Sequence, residues 1–150
     1  MAELIIRRGV GSDADDMEIL EKQCFSVPWS RESLIYDLTE NPLAVYFVAE
    51  LESHVVGYVG VWAIAGEGHI TNVAVSPDYR RLHIGTALIE VMLRETEAAG
   101  ITAHTLEVRA GNSPAIGLYK KFGFKAAGVR RGYYEDNGED AVIMWRKQED

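Results

Sequence analysis

A single cysteine, Cys24, stands in the 150 residues, so no disulfide can form within the chain. That usage fits a reducing compartment, the cytoplasm. There is no run of about 18 apolar residues, and no transmembrane helix is expected. The opening MAELIIRRGV lacks the basic-then-apolar order of a secretory signal. Positive charge is in deficit: 15 Lys and Arg against 23 Asp and Glu give a formal net charge of −8. This argues against direct nucleic-acid binding, which needs a basic surface. An acidic surface either keeps the chain soluble or concentrates a basic partner. His54, His69, His83 and His104 show no metal spacing. Cys24 has no adjacent histidine to make it a nucleophile. Neither a Walker loop nor a complete GxGxxG is present. No repeat, low-complexity tract or linker divides the chain, so one domain over residues 1–150, around one core, is expected.

The stretch that is most informative runs from Thr71 to Leu93, TNVAVSPDYRRLHIGTALIEVML. Thr71, Val73 and Val75 alternate with Asn72 and Ala74, the two-residue period of a strand. Ser76-Pro77-Asp78 breaks it, because proline cannot donate to a ladder and Ser and Asp favour turns. Ile84, Ala87, Leu88, Val91 and Met92 then recur at helical spacing, and Gly100 follows as a C-terminal cap. Between strand and helix lies Arg80-Arg81-Leu82-His83-Ile84-Gly85. Free amides at a helix start, the positive end of its dipole and two arginines make an anion site.

Elsewhere, Leu4 to Val10 reads as a strand and Ser12 as the N-cap of a helix carrying Met17, Leu20 and Cys24. Ser30 caps a second helix with Leu34, Ile35 and Leu38. The apolar loop between them, Phe25 to Trp29, either folds onto the core or walls a ligand groove. Leu43 to Leu51 and His54 to Ala65 read as strands joined around Glu52-Ser53, in an antiparallel meander with Asn72 to Val75. His104 to Arg109 is a further strand. Gly111-Asn112-Ser113-Pro114 opens a helix that Gly123 ends. Phe124 to Val129 and Ala141 to Trp145 close the chain as strands linked by the polar loop Tyr134 to Asp140. The order β-α-α-β-β-β-α-β-α-β-β implies an α/β chain with a mixed sheet and helices on both faces.

Val73-Ala74-Val75, Pro77 and Arg80-Arg81-Leu82-His83-Ile84-Gly85-Thr86-Ala87 resemble the acyl-CoA-binding motif of the GNAT family of N-acetyltransferases. That motif is Gln or Arg, two residues, Gly, one residue, then Gly or Ala. Arg80 and Gly85 match its ends, and His83 replaces its first glycine. The Cβ of His83 stays clear of a pyrophosphate if the residue keeps an ordinary helical or turn conformation. LEVRAGNSPAIGLYKKFGF, from Leu106 to Phe124, resembles the RimI-type branch, the ribosomal-protein alanine N-acetyltransferases. So do Cys24 to Ser30 and Arg130-Arg131-Gly132-Tyr133-Tyr134. The resemblance covers about Ile5 to Met144. It implies the GNAT fold, a mostly antiparallel sheet of about seven strands with about four helices.

It also implies a cosubstrate, acetyl-CoA, and roles for named residues. Arg80 to Thr86 would hold the pyrophosphate, a backbone N–H among Val73, Ala74 and Val75 would polarise the acyl carbonyl, and Asn112 would bond the pantetheine arm, unless it is simply a helix cap. Glu107 would accept a proton through water, although a mid-strand carboxylate is otherwise expected to pair with Arg109 or another base. Tyr119 would reach the thioester sulfur, or else be a core tyrosine. Tyrosine at pKa ~10 against a thiol at ~8.5 makes full proton transfer uphill by ~2 kcal/mol, so a hydrogen bond to the departing sulfur is the easier role. Phe25 and Trp29 would face Tyr133 and Tyr134 across the acceptor groove. Glu135, Asp136, Glu139 and Asp140 either steer a basic peptide or form a solvated hairpin.

Proton cost separates the acceptors. Freeing a protein α-amine of pKa ~7.8 at neutral pH costs ~1 kcal/mol, against ~4–5 for a lysine. The expected reaction is therefore direct transfer to a protein N-terminus, by resemblance the N-terminal alanine of a small-subunit ribosomal protein, without metal, membrane or nucleic acid. A lysine or small-molecule acetyltransferase, and a CoA-binding module without catalysis, are the alternatives.

Overall fold

Strong alternation in the first half and helical spacing in the middle give the architecture its order. In the computed structural model, which describes residues 3–80 and 82–147, β1 is Leu4–Arg8, α1 Ala14–Cys24, α2 Arg31–Thr39, β2 Ala44–Leu51, β3 His54–Ile64 and β4 Glu67–Val75. These are followed by α3 Ile84–Ala98, β5 Ala103–Arg109, α4 Ser113–Lys121, β6 Lys125–Tyr134 and β7 Glu139–Lys147. The strands form one sheet in the order β1-β2-β3-β4-β5-β7-β6. Every neighbouring pair is antiparallel except β4 and β5. The expected element order and mixed sheet are as found.

Two-residue turns set the meander. Glu52 and Ser53 take φ of 52° and 68°, and Ala65 and Gly66 take 51° and 82°. Left-handed pairs of this kind match the twist of hairpin strands. Several boundaries differ from expectation. The helix at residue 14 is not capped by Ser12, which lies inside a short 3-10 turn, Gly11–Asp13. Asp13 instead spends its carboxylate on Val10 N–H at 2.8 Å and on Arg7 at 2.8 and 2.9 Å. β4 begins at Glu67, ahead of the alternating stretch, and β6 runs through Tyr133 and Tyr134 rather than stopping at Val129. Among the described residues, no helix is long and apolar enough to cross a membrane.

Each face of the sheet carries its own apolar cluster. On one, Leu88, Ile89 and Met92 of α3 pack with Phe47, Val59, Val61 and Leu106, and with Tyr119 of α4. On the other, Met17 and Leu20 of α1 and Leu34 of α2 pack on Tyr46, Val48, Tyr58 and Ala74. The α1–α2 face is also tied by acids. Asp16 accepts from Val55 N–H at 2.9 Å, and Asp37 accepts from Tyr46 Oη at 2.6 Å and Trp62 Nε1 at 2.9 Å. These bonds fix the helices along the strands, which apolar contacts alone do not do.

Candidate active site

The opening in the sheet is made by β4 and β5. They pair over three positions only, Glu67↔Ala103, Gly68↔His104 and His69↔Thr105. Gly68 permits that join, since a Cβ there would sit 2.8 Å from the His104 ring. Past it the two strands separate. Ser76 N–H donates to Val56 O at 2.8 Å, so by strand alternation the polar groups of Val75 and Val73 turn away from β3, into the gap. The carbonyl of Val75 does so visibly, accepting Cys24 Sγ–H at 3.3 Å. Of the three residues expected to meet an acyl oxygen, Val73 and Val75 thus turn their backbone N–H toward the gap, while by the same alternation the Ala74 amide faces β3.

A bulge sets which way this segment faces. Gly60 pairs with Asn72 and Val61 with Ile70, so Thr71 is the extra residue. Bulges re-aim the side chains beyond them. Here Asn72 and Ala74 point to the α1 face, while Val73 and Val75 pack with the α3 cluster. The alternation read from sequence holds from Asn72 onward, and Thr71 falls outside it.

The N-terminus of α3 lies beside this gap. Its first backbone bond runs from Ala87 N–H to His83 O at 3.1 Å, which leaves the Ile84, Gly85 and Thr86 amides to other partners. The side chain of the N-cap residue, His83, does not cap them. Gly85 faces Leu118 and Val75, and a Cβ there would meet Leu118 at an ordinary 3.5 Å. Protein packing therefore does not demand a glycine, and the bare backbone suits close approach by a phosphate. His83 takes φ 58° and ψ 28°. The right-handed helical conformation, one in which its Cβ would have stayed clear, is not what His83 keeps: it adopts the glycine-like left-handed form, in which histidine is tolerated better than most residues. Its backbone follows the glycine path, and its side chain is exposed. Leu82 is exposed as well. Arg80 is turned toward the α1–α2 loop, its Nη2 3.8 Å from Cys24 Sγ. Arg81 lies outside the described residues.

Glu107 sits on β5 past the fork. Its residue is exposed and its carboxylate lies 3.5 Å from Arg130 of β6, not from Arg109. Arg109 is occupied elsewhere: it bonds Asp136 at 2.9 Å and Glu139 at 3.3 Å and stacks 4.0 Å from the centre of the Tyr134 ring. Tyr133 and Tyr134 meet edge to face at 5.1 Å, with Arg130 over Tyr133. Tyr119 is 7% exposed against Phe124, and its phenol is pushed well above the ordinary tyrosine range by burial and then by Tyr134. Tyr134 is pushed up to about 12, by burial first, against the pull of Arg109. A phenol so raised donates a hydrogen bond far more readily than it gives up its proton.

The acids of the β6–β7 turn are not a free steering patch. Asp136 is held below the usual carboxylate range by Ser26 Oγ–H and then Arg109, and Glu139 by Gly111 N–H and then Arg109. Asp140 accepts from Gly132 N–H at 2.9 Å. Only Glu135 of the four expected acids has no such bond among the described contacts. The Ser26–Asp136 bond joins the α1–α2 loop, which carries Phe25, to the turn that follows Tyr134 at the end of β6. Trp29 goes elsewhere. Its ring lies 6.4 Å from Trp62, in a groove of about 670 Å³ with Pro28, Tyr36 and Asp37. Asn112 is engaged as the cap of α4, accepting Ala115 N–H at 3.2 Å. Its amide N–H₂ makes no hydrogen bond among the described residues. Burial raises the Cys24 thiol above its usual range even with Arg80 alongside, which disfavours a thiolate.

Sequence reasoning passed over Glu21. It is fully buried, and its carboxylate accepts from Trp29 N–H at 2.7 Å, Asn72 Nδ2 at 3.0 Å and Tyr58 Oη. The signal was positional: Met17, Leu20 and Cys24 mark a helical face, and Glu21 falls on it.

Comparison with known proteins matches this arrangement to one family. The acetyltransferase (GNAT) family profile matches residues 14–124. A Bacillus subtilis protein named as a candidate ribosomal protein bS18-alanine N-acetyltransferase is 42% identical over 133 residues, 89% of this chain and 88% of its own. The Escherichia coli K12 ribosomal protein bS18-alanine N-acetyltransferase is 35% identical over 127 residues, 83% of this chain and 84% of its own. The crystal structure of the E. coli ribosomal-protein-S18-alanine N-acetyltransferase superposes with a TM-score of 0.89 at 31% identity, covering 97% of this chain and 94% of that one.

Proposed function

The chain belongs to the GNAT family of acetyltransferases, and from that premise we propose that it acetylates the α-amine of protein N-termini, with the N-terminal alanine of a cytoplasmic small-subunit ribosomal protein as its acceptor. Acetyl-CoA is the acetyl donor and supplies a thioester, an acyl carbon already reactive toward amines. The observation that carries the reading is the fork between β4 and β5. There Val73 to Val75 lie beside the first-turn amides of α3, with Glu107 on the opposite prong, an arrangement that supports the reading.

The residues divide the work as follows. Ile84, Gly85 and Thr86 offer amides to the pyrophosphate, with the helix dipole behind them. A backbone N–H of the Val73 to Val75 segment polarises the acyl oxygen. Glu107, exposed enough to be wetted, takes the amine proton through water. Tyr119 offers its O–H to the departing sulfur, and its raised pKa favours hydrogen bonding over full transfer. Asn112 caps α4 with its carbonyl and offers its amide to the pantetheine arm. Tyr134, fixed over Arg109, walls the acceptor side together with Phe25. The Cys24 thiol, raised by burial and bonded to Val75 O, is a poor acyl acceptor, so transfer is direct, within a ternary complex.

Parallel incubation of acetyl-CoA with three acceptors tests this: a peptide with a free alanyl N-terminus, an N-blocked lysine peptide and a polyamine. Acetylation of the first alone is expected. Preferential acetylation of lysine or polyamine overturns the acceptor assignment, and binding without any transfer identifies a non-catalytic CoA module.

A further inference from the structure

A fully buried carboxylate on a helix face that otherwise carries Met17 and Leu20 is costly unless each of its lone pairs is used. Glu21 accepts three hydrogen bonds, one from each of three other parts of the fold. It is carried by α1. It accepts from Trp29 N–H in the α1–α2 loop, from Tyr58 Oη on β3 and from Asn72 Nδ2 on β4. No basic group contacts it among the described residues, so its grip rests on directed hydrogen bonds rather than an ion pair. Burial raises its pKa above the usual range, and the three donors oppose that rise. The pyrophosphate amides of α3 are not among its partners.

Two of those partners matter for chemistry. Asn72 follows the bulged residue Thr71 and directly precedes Val73. Its bond to Glu21 holds Asn72 on the α1 face, which obliges Val73 and Val75 to present their backbone to the gap. Trp29 N–H is an anchor of the loop that carries Phe25 and Ser26, and Ser26 in turn reaches Asp136. One carboxylate therefore touches both the strand that would clamp the acyl oxygen and the loop that would wall the acceptor. We propose that Glu21 is a positioning residue for the transfer reaction, locking the acceptor loop to the bulged segment of β4 so that amine and acyl carbonyl meet in register. The proposal rests on the N-terminal acetyltransferase reading above.

A misplacement of about 1 Å can cost about 10²-fold in rate. Glu21→Gln keeps the shape but replaces one acceptor oxygen by a donor, facing donors that must then turn. Its kcat/KM for the alanyl peptide is expected to fall about 10-fold or more, through a raised acceptor KM together with a lowered kcat. The dissociation constant of CoA should stay within about twofold, because the α3 amides are untouched. The shape of the pH–rate profile should persist at lower height. Asn72→Asp, which sets a second carboxylate against the first, should reproduce the loss, and Tyr58→Phe should give a smaller one; both serve if a Glu21 variant fails to fold. Wild-type kcat and acceptor KM in Glu21→Gln and Asn72→Asp overturn the proposal. So does an equal loss of CoA binding, which marks general loosening, or the disappearance of one limb of the pH profile, which marks Glu21 as the proton acceptor itself. If the wild-type protein does not acetylate the peptide, it is the underlying reading that fails.

Discussion

At the scale of single residues, the account turns on two groups in contrasting surroundings. Glu107 is exposed beside Arg130, while Tyr119 is buried against Phe124 with its phenol raised. In the proposed reaction the first exchanges protons with water and the second holds a hydrogen at one spot. Glu107→Gln and Tyr119→Phe should each lower kcat by about 10²-fold with CoA affinity little changed. Steady-state kinetics on folded protein check this, and wild-type kcat in both variants would remove these residues from the mechanism. Both were singled out from the sequence because they stand in a distinctive run, LEVRAGNSPAIGLYKKFGF. Glu21 was not. Counted as a charge it looks like any surface acid on an amphipathic helix, and only its partners, 8, 37 and 51 residues away in sequence, make it special. His83 shows a further limit. Its identity suggested a departure from a glycine pattern, whereas its backbone, at φ 58°, keeps to that pattern.

At the scale of elements, helix and strand periods gave the order, and hydrogen bonds decided the ends. Ser30 caps α2 as expected, its Oγ accepting from Ser33 N–H at 3.1 Å. Ser12 fails to cap α1 because Asp13 and Arg7 lock the turn before it. The bulge at Thr71 was invisible, since a single extra residue leaves no mark on a pattern five residues long. Asn112 shows one side chain carrying two candidate roles, and they can be separated. Asn112→Ala should cost about 1 kcal/mol of stability through the lost cap. Asn112→Asp should keep the cap and nearly all the stability, yet weaken CoA binding, because it loses the amide donor. Denaturant unfolding and calorimetric binding measure the two effects, and full CoA affinity in Asn112→Asp would reduce the residue to a cap.

At the scale of the molecule, stability and function share the join of β4 and β5. His104 sits there, fully buried, with Nε2 2.8 Å from Thr96 Oγ1. Burial, and then Arg146, lower its pKa from 6.5 to about 4. A lowered folded pKa means that its stabilisation is complete above the unfolded value of 6.5. It is lost as pH falls toward 4, by about 3 kcal/mol in all. The wild-type unfolding free energy should therefore decline over that window. His104→Gln, which can still bond Thr96 but does not titrate, should decline less. Equal slopes in the two proteins would exclude His104 as the acid-labile group. The net charge of −8 gave little guidance here, because the acids nearest the site, Asp136 and Glu139, are bound to Arg109 and serve the hairpin.

The central claim, transfer of acetyl to a protein α-amine, is tested most directly by intact-mass measurement of peptides with varied first residues after incubation with acetyl-CoA. One acetyl group on the free alanyl N-terminus is predicted, absent when that amine is blocked and much reduced in Glu107→Gln. Acetylation that persists on the blocked peptide, at its lysines, would contradict the account.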